Sequence, residues 1–267
     1  MTAASVAPTS EPTPAPALSF PRIVRGEWIK ICTLRSTWWS LAITAALTVG
    51  VALLFAQAMR GPADGGIEAA VSSVQFTMLL AGILGAISVT GEYSTGTMRS
   101  SLTAVPARGS LLAAKAIVVA ALVFAASVVI VVVATFAVSP IVDARDHPIH
   151  WHEPSESWLP LLAAAFSMSV FALIGLSLGF VLRSGAGAIA ATVGLLFVLP
   201  IVVSLLNDVE LTWLRVAGSH LPMPASQNLI LPQSDWGLEW PVALVTLCAW
   251  VAGGLAAAWV TLRSRDA

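Results

Sequence analysis

Six long apolar runs alternate with short polar segments along the 267-residue chain. The runs fall at 40–59, 70–90, 116–138, 161–182, 186–206 and 241–262. Each is about as long as the stretch of roughly 20 apolar residues that an α-helix needs to cross the hydrocarbon layer of a bilayer. The pattern predicts an all-α integral membrane protein with six transmembrane helices.

The composition agrees with this prediction. Hydrophobic residues make up 57% of the chain and charged residues 10%, whereas soluble domains carry about 25% charged residues. The net charge of -1 gives no basic field that would attract nucleic acid. Cys32 precedes the first run and Cys248 lies inside the last, so both are predicted to be free thiols.

The lysines and arginines predict the orientation of the bundle. Cytoplasmic segments of membrane proteins are enriched in these residues, and this positive-inside rule predicts that both termini of the chain are cytoplasmic. We expect the chain to lie in the inner (plasma) membrane of the cell. Three of the thirteen basic residues, Arg60, Arg145 and Arg215, fall on the opposite side. The other ten share the predicted cytoplasmic side: Arg22, Arg25, Lys30, Arg35, Arg99, Arg108, Lys115, Arg183, Arg263 and Arg265.

The two ends of the chain lie outside the six runs. Residues 1–19 are rich in Pro, Ala, Ser and Thr and are predicted to form a disordered tail. They are not predicted to be a signal peptide, because the first long apolar run begins only near Leu41. Residues 263–267 form a short cytoplasmic C-terminus.

Residues 20–39 are predicted to form an amphipathic helix in the membrane interface. Its broad apolar face holds Phe20, Ile23, Val24, Trp28, Ile31 and Leu34. Arg22 and Arg25 point away from that face, whereas Glu27 is an exception that falls on it. The helix either anchors the first span or contacts a partner, and its candidate contact residues are Arg22, Arg25, Glu27, Trp28 and Lys30.

The runs themselves contain no Asp, Glu, Lys, Arg or His, although Lys115 borders the third. Pumps driven by protons or sodium ions usually need an ionisable group within the bundle. We therefore expect any energy for uphill transport to come from outside the membrane. Gly175 and Gly179 form a GxxxG pair in the fourth run, which serves either packing within the chain or contact with a second copy.

The connection from Gly91 to Lys115 is the longest on the cytoplasmic side and is much longer than the next, Arg183–Gly185. It reads GEYSTGTMRSSLTAVPARGSLLAAK, and Gly96, Pro106 and Gly109 are expected to divide it into short pieces. This segment, together with GEWIK and LRSTWWSL upstream, resembles the permease subunits of ABC-2 type transporters. The resemblance covers nearly the whole chain.

The resemblance implies a function that residue patterns alone do not. It implies an exporter permease that forms the pathway with a second copy or a related permease. It also implies that the 91–115 segment docks on a separate ATPase subunit through Glu92, Tyr93, Gly96, Thr97, Arg99, Pro106 and Arg108. Family members often fold the outer connection before the last span, here residues 207–240, as helices that dip back into the membrane.

The chain contains no GxxxxGK[ST] motif, so we expect no ATP hydrolysis by this chain, and ATP would be bound by the partner subunit. No cofactor or metal is expected. The uncharged bundle favours lipid-like or amphipathic cargo. The alternative is a multi-pass membrane protein that transports nothing, such as an assembly factor or a subunit of another membrane complex.

Two further motifs are present, one typical of a serine nucleophile and one of a metal site, and neither is favoured. Residues 175–179 fit GxSxG, but a nucleophilic Ser177 needs a nearby base, and every histidine is predicted in the outer loops. His147, His150, His152 and Glu153 have metal-ligand side chains, yet their spacing matches no closed site and prolines flank them. A solvated loop is the favoured interpretation.

Overall fold

The computed structural model describes residues 19–58, 66–105, 107–146, 148–206, 212–231 and 237–264. Within these ranges the regular structure is helical and contains no strand. The twelve α-helices are α1 (Phe20–Thr33), α2 (Arg35–Ala58), α3 (Gly66–Ser72), α4 (Val74–Ser94), α5 (Thr97–Ala104), α6 (Arg108–Asp143), α7 (Trp158–Leu182), α8 (Gly185–Val193), α9 (Leu199–Leu205), α10 (Thr212–Ser219), α11 (Pro222–Ile230) and α12 (Trp240–Ser264).

Six helical segments are long and apolar enough to cross a membrane, as the six runs predict. They are α2, α3 with α4, α6, α7, α8 with α9, and α12. The helices extend beyond several runs: α6 has 36 residues and begins at Arg108 rather than near 116. Lys115 therefore lies two turns inside a helix, and not at its border.

The packing centres on α7. Of its most apolar 18-residue stretch 72% is buried, against 17% for the corresponding stretch of α12. A close helix crossing joins α7 to α4, where a Cβ added to Gly175 would lie 1.9 Å from the Gly82 carbonyl oxygen. A Cβ added to Gly85 would lie 1.9 Å from the Ala172 carbonyl oxygen. Glycine is needed for this approach, so Gly175 packs within the chain.

α1 is shorter than the predicted interfacial helix. It ends at Thr33, Leu34 is extended, and residues 35–39 belong to α2. The face of α1 that is buried holds Ile23, Glu27 and Ile31, whereas Phe20, Trp28 and Leu34 of the predicted apolar face are exposed.

Two tight connections shape the second half of the bundle. α7 ends at Leu182, Arg183 takes a left-handed conformation, and the Ser184 hydroxyl accepts a hydrogen bond from the Gly187 amide at the start of α8. This is the short hairpin that the sequence predicts. Between α8 and α9, residues Gly194–Val198 form a π-helical turn. It precedes Pro200, which lacks the amide hydrogen that an α-helix would use there.

The connection before the last span contains α10 and α11, and residues 207–211 and 232–236 of it lie outside the described ranges. α11 packs against α7 and α12. Its Ser226 hydroxyl lies 3.3 Å from the Met78 sulfur of α4, and the Gln227 side-chain amide donates to Gln75 at 3.0 Å. The connection therefore contains helices, and α11 packs against the bundle. That these helices dip back into the membrane stays a prediction.

Candidate functional site

Four charged side chains meet at one end of the bundle. The Lys115 ammonium of α6 lies 2.5 Å from a carboxylate oxygen of Glu27 in α1 and 2.6 Å from one of Glu92 in α4. The Lys30 ammonium lies 2.7 Å from Glu27 and 3.4 Å from Glu92. We call these four residues the ionic cluster. The cluster joins three helices, α1, α4 and α6, that are separated in the sequence.

The cluster is electrically balanced and largely buried. The side chains of Lys115, Glu27 and Glu92 are only 5%, 7% and 15% exposed, whereas that of Lys30 is 43% exposed. Buried charges are stable in a protein interior only when they are paired. Glu27 therefore sits on the buried face of α1 because Lys115 lies opposite, which accounts for its exceptional place on the helical wheel.

Lys30 lies on the solvent side of the cluster. Burial lowers its pKa, but the hydrogen bond and charge of Glu27, with those of Glu92, outweigh burial and leave the pKa above its ordinary value. A lysine whose pKa is higher in the folded than in the unfolded protein stabilises the fold. This stabilisation is fully present below the unfolded-state pKa and is lost only as pH rises through the folded-state pKa. Near neutral pH this residue stays charged and does not act as a switch.

The cluster also reaches the short helix α5. The Lys30 ammonium donates to the Ser101 hydroxyl at 3.0 Å. α5 follows Gly96, which has a left-handed φ of 73° and so provides the break expected there. Thr97 begins the helix, and its hydroxyl lies 2.9 Å from that of Thr95. Gly109, by contrast, lies within α6 and breaks nothing.

A second set of contacts connects the 91–115 segment to the ends of α7 and α12. Tyr93 packs edge-on against Phe180, with ring centroids 6.5 Å apart. The Arg183 guanidinium lies 5.4 Å from the centroid of the Tyr93 ring and also donates to the Thr261 carbonyl at 3.3 Å. Such a distance allows a cation–π interaction.

Arg108, at the start of α6, donates to the Leu262 carbonyl at 2.5 Å. Together with Arg183 it therefore satisfies carbonyls of the last turn of α12, where the helix dipole favours positive charge. The last span is thus held at its end by one arginine of the 91–115 segment and one of the α7–α8 hairpin.

Five other residues singled out from the sequence are either exposed or outside the described residues. Arg22, Arg25 and Trp28 are exposed on α1, and Arg99 is exposed on α5. Pro106 lies outside the described residues. Lipid or a partner would meet the exposed side chains of Arg25, Trp28 and Arg99 at the surface of the bundle.

Sequence reasoning missed Lys115, Ser101 and Arg183 as members of this site. Two observations together could have identified Lys115. Glu27 on the apolar face of α1 needs a buried cation, and Lys115 is the one charge beside the third run. No comparable signal exists for Arg183, because its contacts with Tyr93 and Thr261 follow from the packing of α7 between α4 and α12.

The two rival motifs gain no support from the geometry. The Ser177 hydroxyl donates to the Leu173 carbonyl of its own helix at 2.8 Å. His150 and His152 are exposed, and His150 lies 3.0 Å from a carboxylate oxygen of Glu156. His147 lies outside the described residues, and among those described no group of three or more His, Cys, Asp or Glu side chains is placed to hold a metal ion.

The fold and the ionic cluster define a class: a six-span helical membrane protein with a buried, neutral charge network at one end of the bundle. Comparison of the chain with protein-family models and with curated proteins finds no match.

Proposed function

We propose that the chain is the permease subunit of an ATP-driven ABC-2 type exporter in the plasma membrane. In this proposal both termini and the 91–115 segment are cytoplasmic, and the segment docks on a separate ATPase subunit. A second permease, identical or related, completes the translocation pathway. α1 lies in the membrane interface with Trp28, Trp38 and Trp39 exposed at its side of the bundle.

The observation that carries the proposal is the ionic cluster. Its members belong to α1, α4 and α6, and Lys30 connects them to α5 through Ser101. A push on α5 or α1 from outside the membrane would therefore move two spans together. Buried ion pairs transmit such displacements because separating them leaves uncompensated charge.

The cluster also retains capacity to rearrange. One carboxylate oxygen of Glu92 is buried and has no hydrogen-bond partner among the described residues. A polar network with an unsatisfied member is less firmly held in one arrangement than a complete one. We infer that Lys115 and Lys30 exchange contacts on Glu92 when nucleotide binding closes the ATPase subunits.

The test is affinity purification of the tagged full-length chain from its native membranes, followed by mass spectrometry. We expect a P-loop ATPase in the purified complex, and we expect an Arg99→Glu variant to recover much less of it, because Arg99 is exposed on α5. Arg263→Glu is the matched control, since Arg263 is also exposed and lies at the same end of the bundle.

An intact, well-folded chain that recovers no ATPase would contradict the proposal. Stable recovery of other membrane subunits instead would favour a non-transporting role in another complex. Equal loss in both arginine variants would mean that general surface charge, and not α5, governs the association.

A further inference from the structure

A long groove opens on the side of the bundle, away from the ionic cluster. Its volume is about 980 Å³. The α7 wall consists of Ile174, Ser177, Leu178 and Val181, and the α12 wall extends from Pro241 to Ala257. Leu195 of the π-helical turn and His220, between α10 and α11, also line it. The groove is therefore bounded by four parts of the chain: α7, the π-helical turn, the α10–α11 connection and α12.

Among the described residues that line the groove there is no Asp, Glu, Lys or Arg, and so no charged side chain with which to bind an ionic ligand. Its polar groups are largely engaged within the chain. The Ser177 hydroxyl donates to Leu173, and the Trp250 ring N–H donates to the His220 carbonyl at 2.8 Å. His220 Nδ1 lies 2.8 Å from the Val216 carbonyl oxygen. The surface that remains favours a hydrocarbon ligand.

The dimensions favour a chain-like occupant over a helix. Pro241 and Ala257 are separated by about 24 Å along the α12 axis, most of the roughly 30 Å thickness of a bilayer core. A helix of about 10 Å diameter over that length would fill roughly 1,900 Å³, about twice the volume of the groove. A helix of a second copy would therefore lie only partly within the groove, whereas a narrower acyl chain would lie along its length.

We propose that this groove binds one acyl chain of a membrane phospholipid, extended along α12 between α7 and the π-helical turn. The groove opens sideways on helices that are long and apolar enough to span a bilayer. The acyl chain can therefore enter it from the surrounding lipid. The site depends only on membrane insertion and not on the proposed coupling to an ATPase.

Two neighbouring glycines of α12 have different surroundings, and one of them provides the test. A Cβ on Gly254 would lie 3.1 Å from the Ser177 side chain, so Gly254 packs against α7. A Cβ on Gly253 would meet nothing within 4 Å, although Gly253 lines the groove. A Gly253→Phe substitution therefore fills the groove without a backbone clash. Ala249→Phe does so one turn away, from a second exposed lining position.

The experiment uses the purified full-length chain in detergent with a few equivalents of phosphatidylcholine that carries a diazirine near the end of one acyl chain. After photolysis, peptide mapping locates the label. We expect it on α7 residues 174–181 and on α12 residues 241–257. Displacing about two methylenes reduces affinity about tenfold, so Gly253→Phe and Ala249→Phe should each weaken this labelling at least that much.

Gly50→Phe is the control, because a Cβ on Gly50 of α2 also meets nothing within 4 Å and Gly50 does not line the groove. It should leave the labelling unchanged, and thermal unfolding should show that all variants are folded. Labelling spread evenly over every exposed helix face, or unaffected by both groove substitutions, would overturn the proposal. So would cross-linking between two copies through α12 with no lipid label in the groove.

Discussion

A Lys115→Met variant is expected to lose about 3–5 kcal/mol of folding free energy, which is the usual cost when one member of a buried ion pair is removed. Methionine preserves the approximate length of the side chain but leaves the carboxylates of Glu27 and Glu92 without their buried cation, so that only the half-exposed Lys30 still contacts them. Unfolding of the purified protein by SDS titration in mixed micelles measures the change.

Two further variants separate charge from packing at this position. Lys30→Ala removes a half-exposed lysine and should cost at most about 1 kcal/mol. A triple variant with Glu27→Gln, Glu92→Gln and Lys115→Met removes the whole buried charge set and should unfold within about 1 kcal/mol of the wild-type protein. If Lys115→Met were no more destabilising than Lys30→Ala, the cluster would not hold the three helices together.

The crossing of α4 and α7 gives the second large effect. A Gly175→Ala substitution should destabilise the fold by about 3 kcal/mol, at the upper end of the usual cost of overpacking. The added methyl would lie 1.9 Å from the Gly82 carbonyl oxygen, and a backbone atom cannot move aside as a flexible side chain can. The same unfolding titration measures it.

Gly50→Ala and Gly253→Ala are matched controls within other spans. Neither added methyl meets an atom within 4 Å, and alanine is intrinsically better than glycine in a helix by about 1 kcal/mol. Both controls should therefore be neutral or slightly stabilising. A Gly175→Ala variant that behaves like them would mean that α4 and α7 do not approach closely.

The spans were predictable because their signal is local. A run of about twenty apolar residues specifies a membrane-length helix without reference to any other part of the chain. The short Arg183–Gly185 hairpin and the break at Gly96 are local for the same reason. The two cysteines are free thiols in the structure, as their positions predict.

The ends of the helices and the members of the ionic cluster were harder to predict from the sequence. Lys115 lies two turns inside α6, because apolar length marks the part of a helix that needs hydrocarbon and not where the helix begins. Glu27 was visible as an anomaly on an apolar face, but the buried cation that pairs with it, Lys115, lies 88 positions further along the chain. Contacts such as Arg183 with Thr261 depend on which helices become neighbours, and a single sequence carries no direct record of that.

The orientation of the 91–115 segment is the claim on which docking depends, and cysteine accessibility tests it directly. In a background carrying Cys32→Ser and Cys248→Ser, Ser100→Cys places a thiol on the exposed surface of α5, and Ser155→Cys places one before α7 at the other end of the bundle. With a membrane-impermeant maleimide, the Ser155→Cys variant should label in intact cells and the Ser100→Cys variant only after permeabilisation. Labelling of the Ser100→Cys variant in intact cells would place α5 outside, where no cytosolic ATPase can reach it.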